Sequence, residues 1–108
     1  MMTDERRPLV ARLDLGDFGE LDQFEAQSKG YLSTASVLLP SGGRIPVFFY
    51  DTARLAQDLE SAKEAGRAFI AEPGMIVLDE VTRTNMENAV EHLAGEGFFD
   101  RFLPSEQT

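Results

Sequence analysis

The sequence predicts an α+β domain: an antiparallel or mixed sheet of about four or five strands carrying two amphipathic helices, in the order β-β-β-α-β-β-α. Three observations lead there. Two β-like runs, Tyr31 to Leu39 and Ile45 to Tyr50, flank the turn cluster Pro40-Ser41-Gly42-Gly43. Met75 to Leu78 is apolar at every position, the pattern of a central strand covered on both faces. Apolar residues recur at spacings of three and four in two places, 55–62 and 86–94, which is the period of a half-buried helix.

Residues 1–7 are polar and charged and read as a loose end, as do 104–108. From Leu9 the chain alternates: Leu9, Ala11, Leu13 and Leu15 face one way and Val10, Arg12 and Asp14 the other, as in a half-buried strand. The stretch from Asp14 to Glu25 carries five acids and no base, with Phe18, Leu21 and Phe24 spaced three apart. It reads as a loop that drops aromatics into the core, or as a short irregular helix, and Gln27 to Gly30 as a connector. The hairpin follows, with Pro46 pushing its second strand towards an edge or a local break because proline has no ladder donor.

Asp51 or Thr52 caps the next helix, whose stripe is Leu55, Ala56, Leu59 and Ala62, and Gly66 closes it. Arg67 to Glu72 resumes strand character. Pro73 and Gly74 occupy the central positions of a type II turn, which makes a hairpin of 67–72 with Met75 to Val81. Thr84 and Glu87 form a capping box. Met86, Ala89, Val90, Leu93 and Ala94 then share one helical face, with Asn85, Asn88, Glu91 and His92 opposite, and Gly95 or Gly97 ends the helix.

At 108 residues the chain is read as one domain, 1–108, large enough for a core without staples. It has no cysteine, so disulfides, thiolate nucleophiles and sulfur-ligated zinc are excluded. Nineteen acids against ten bases leave a net charge of −9, a field that repels phosphate polymers and anionic lipid. No nucleic-acid partner is expected. No apolar run approaches a bilayer span, so no membrane association is expected either, and the location is read as cytoplasmic.

MIVLDE has the look of a Walker B strand, but the chain has no GxxxxGK[ST] loop to cradle a phosphate. Counted from Asp14, Gly19, Asp22 and Glu25 fall at the sixth, ninth and twelfth places of a calcium loop. Gly16 and Phe18 fill the third and fifth places, where oxygen ligands are needed. His92 is the one histidine and lies on the polar face of its helix, so no multi-histidine metal centre and no supported triad follow. No catalytic residue, metal ligand or cofactor is assigned.

The functional expectation is a non-catalytic acidic module for protein interaction or self-association, a homodimer first and a hetero-partner second. Phe98, Phe99 and Phe102 are its candidate contacts, because Phe98 and Phe99 cannot both point inward from an extended segment. The alternative is a small-molecule site, enzymatic or sensory, in a pocket built from Tyr50, Asp51, Arg67 and Arg83.

Overall fold

The computed structural model describes residues 10–102, with side chains to residue 100; the expected loose ends at 1–7 and 104–108 lie outside it. Its elements are β1 (Arg12–Asp14), α1 (Glu20–Lys29), β2 (Tyr31–Leu38), β3 (Arg44–Asp51), α2 (Thr52–Glu64), β4 (Met75–Leu78) and α3 (Arg83–Gly95), followed by a 3₁₀ turn, Phe98–Phe102. The class is α+β, with one four-stranded mixed sheet in the order β1-β2-β3-β4 and three α-helices. The order β-α-β-β-α-β-α therefore replaces the expected one.

β2 and β3 form the expected antiparallel hairpin, and β1 adds to β2 antiparallel. β4 lies parallel to β3, reached through α2 as a crossover, because parallel neighbours need a long connection. Pro46 is tolerated inside β3 because the β4 register begins only at Phe48, so proline's missing donor lies beyond the reach of β4.

Side chains alternate between the two faces of this sheet. On one face Leu13, Val37 and Ile45 align across three strands and Phe49 aligns with Ile76. Here lies the core: Val37, Val47 and Phe49 are fully buried with Val81, Met86 and Val90, and Ala26 of α1 and Phe99 join them. On the other face lie Leu38, Phe48, Tyr50, Met75 and Val77, none of them part of that core cluster. α2 crosses this side, where Asp58 of α2, Tyr31 and Glu72 surround Tyr50, yet no residue of α2 is buried.

Four sequence expectations are corrected. Residues 67–72 form no strand, although the Pro73-Gly74 turn is present, with the Met75 amide donating to the Glu72 carbonyl at 3.2 Å and Gly74 at φ +84°. A Cβ at Gly74 would run into the Pro46 carbonyl, so the turn presses β4 against β3 instead of opening a new hairpin. β4 is consequently an edge strand, and Val77 is 43% exposed. The acidic stretch holds a regular ten-residue helix, α1, that absorbs most of the expected connector and stops at Gly30 in the left-handed conformation. Finally, Thr82 caps α3, its Oγ1 accepting from the Asn85 amide at 3.1 Å, and Thr84 is already helical.

Thr82→Ala should therefore lower stability by ~1 kcal/mol, the usual effect of losing such a cap, while Thr84→Ala on the exposed first turn stays within about 0.5 kcal/mol. Met86→Ala should lower it by ~2–5 kcal/mol, against near neutrality for His92→Ala. Urea melts of the four variants check the ranking. Equal effects at positions 82 and 84 would contradict the cap assignment.

Candidate functional site

Two surfaces are left incompletely covered by the described residues. The first is β4 with the sheet face beside it. No described strand pairs with the outer edge of β4, and no backbone bond joins Ile76, Val77 or Leu78 to a described residue outside the β3–β4 ladder. Met75–Leu78 carries no charge and no proline, the devices that usually blunt a free edge. Val77 is exposed there, and Phe48 and Met75, neighbours across the same face, are half-buried.

The second surface is the outer side of α1. Leu21 and Phe24, one helical turn apart, are each 68% exposed. The inner side carries Ala26, which is buried, and Gln23, whose Oε1 accepts the Arg83 amide at 2.8 Å. Arg83 adds a bond to the Phe18 carbonyl at 2.7 Å and lies over the Phe18 ring. Small and polar inward contacts thus hold the helix, and its largest side chains are left to solvent. Asp17, Glu20, Asp22 and Glu25, in and just before the helix, are all exposed, while Lys29 is the one base of the helix. Phe18 packs on the core as expected of this stretch; Leu21 and Phe24 do not.

The residues singled out from sequence are dispersed. Phe99 is 2% exposed and belongs to the core, and Phe98 packs edge-on against it with ring centroids 5.2 Å apart. The 3₁₀ turn explains how both reach cover, since successive side chains there diverge by about a third of a circle instead of alternating. The Phe102 side chain lies outside the described residues. Of the alternative pocket, Asp51 caps α2 by accepting the Arg54 amide at 2.7 Å, Arg67 stacks on Phe69, and Arg83 serves α1 and Glu87. Tyr50 donates to Glu72 at 3.4 Å.

None of these four residues lines any of the three main clefts among the described residues. One of about 730 Å³ wraps the β1 edge and includes the ion pair of Asp14 with Arg44 and the exposed Glu87 and Glu91. That guanidinium, helped by the Gly16 amide, holds the Asp14 carboxyl below its usual range. One of about 370 Å³ is lined mainly by apolar atoms of Val10, Leu39, Ala94 and Phe99. The third lies between α1 and β2. Among the described residues no group of three His, Asp or Glu side chains gathers as a metal site, and no helix is long and apolar enough to cross a membrane. His92 pairs with Glu96 at 3.0 Å on the exposed side of α3.

No family model, no curated protein and no solved structure matches this chain.

Burial, then the nearby Glu72 carboxylate, pushes the Tyr50 phenol up from 10.0 to about 12. The folded state therefore holds this proton more tightly than the unfolded chain. Its contribution is complete below pH 10 and is lost as pH rises through about 12. Absorbance at 295 nm should show a late phenolate step that Tyr50→Phe removes. Over the same interval the wild type should lose of order 2 kcal/mol relative to that variant in denaturant melts. A Tyr50 that ionises with the unfolded chain would refute the assignment.

Proposed function

We propose that this chain is a non-catalytic interaction module that pairs with a second copy of itself along the outer edge of β4. The observation that supports this is the open, uncharged edge at Met75–Leu78 beside an exposed Val77. An edge of that kind presents unpaired N–H and C=O groups, and its most economical complement is another strand. An antiparallel pair centred on Ile76 keeps each face of the sheet continuous across the junction. Val77 then lies beside Met75 of the second copy, covering apolar area that α2 leaves bare, and Leu78 lies against Gly74.

The strand is followed by the exposed acids Asp79 and Glu80. In the centred pair the two copies of Asp79 stand six positions apart, about 20 Å, well beyond the ~8 Å screening length at physiological salt. The same register sets Glu80 of one copy opposite Glu72 of the other just beyond the strand ends, so two chains of net charge −9 meet here with that acid pair at each end, and added salt should favour the dimer.

Light scattering behind size exclusion at tens of micromolar should report twice the 12.0 kDa chain mass. Val77→Lys, which places a charge on the exposed face of the edge, should return the monomer without unfolding it, since the wild-type side chain is only half covered. A wild type that remains monomeric up to about 100 µM, or a dimer that Val77→Lys leaves intact, would overturn the proposal.

A further inference from the structure

We infer that the outer face of α1 is a docking site for a cationic amphipathic segment of a partner protein. This surface is separate from the β4 edge, and the inference holds whether the chain is one copy or two.

Leu21 and Phe24 are among the most exposed large apolar side chains of the described residues, and they are adjacent on one face of one helix. Single exposed leucines need no explanation, but a leucine and a phenylalanine side by side on a helix whose only buried residue is an alanine make a ready anchor pair. Their rim settles what fits. Glu20 and Glu25 flank the pair in sequence on the same helix, Asp17 and Asp22 lie at its N-terminal end, all exposed, and Gln27 reaches Glu80, a further acid beside the helix. Lys29 is the one base within the helix.

The occupant must therefore supply apolar side chains for Leu21 and Phe24 and positive charge for the rim. A second copy docking α1 on α1 fails this requirement, because it would set acids against acids. Nucleic acid and anionic lipid are repelled by the same rim. A helix or strand with lysine or arginine flanking leucine-like anchors satisfies both demands, in the manner of a helix laid on a complementary face. The site is formed in advance. The Gly19 amide is held by Asp22 at 2.9 Å, Gly30 ends the helix, and Arg83 fixes it from beneath, so ordering falls on the partner alone. Opposite charge steers the encounter and the apolar pair sets its lifetime, which predicts binding that is both salt-sensitive and anchor-dependent.

The probe is a synthetic peptide of about 14 residues with leucine and lysine at helical spacing. It is titrated into the ¹⁵N-labelled full chain beside two controls, glutamate for every lysine and serine for every leucine. Saturable binding is expected, with amide shifts confined to residues 17–28. Affinity should fall roughly tenfold between about 50 and 500 mM salt, and roughly tenfold or more for either control peptide. Leu21→Ser with Phe24→Ser should weaken it similarly while far-UV dichroism and melting stay as in the wild type. Shifts centred on Met75–Leu78, no saturation, or equal binding of the serine control would overturn the inference, the last by reducing it to long-range attraction. Should the double variant lose its helix, the control peptides on the unaltered chain still decide the matter.

Discussion

The dryness of one sheet face and the wetness of the other govern this fold. A strand delivers alternate side chains to opposite sides, so four strands fix two surfaces at once. α3, the 3₁₀ turn and part of α1 cover only one of them. Val37, Val47 and Phe49 meet Met86, Val90 and Phe99 there without a buried charge among the described residues. The other surface receives Phe48, Met75 and Val77 beside α2, which buries none of its own residues. The exposure of Val77 follows from that imbalance.

Much of the architecture was legible because its signals were local. Pro40 to Gly43 between two β-like runs could only be a hairpin, and Asp51 and the 86–94 stripe act within a turn or two of themselves. The misplaced features involve a choice between distant partners. The run at Met75 looks alike in a central and an edge strand, and the Pro73-Gly74 turn forms in both topologies. Close contact of Gly74 with Pro46 decides between them, and nothing local to either residue announces it. Thr82 and Thr84 are chemically interchangeable caps, separated only by where the chain leaves Val81 in the core.

The acidic helix was hard to read for a different reason. Helices are recognised by an apolar stripe, and α1 carries its stripe on the wrong side. Its inward contacts come from an alanine, a glutamine and an arginine sixty residues further along. What remains visible is five acids without a base and three apolar residues spaced three apart, a pattern that suits a loop with inserted aromatics as well as a short irregular helix. Phe98 and Phe99 misled in the opposite sense: an extended segment would strand one of them, whereas a tight turn brings both to cover.

Arg83 joins these regions. Its backbone amide opens α3 while binding Gln23, and its guanidinium reaches the Phe18 carbonyl from the other end of the chain. Because α1 buries little besides Ala26, its free energy of local opening is small compared with that of the β2–β3 hairpin. Opening it severs the Arg83 contacts with Gln23 and Phe18 in one event, leaving the first turn of α3 held by the Thr82 cap, the Asn85 side chain on the Glu80 carbonyl and the Arg83–Glu87 pair. Native-state hydrogen exchange should therefore group the amides of α1 with that of Arg83 as one cooperative unit, released before the sheet.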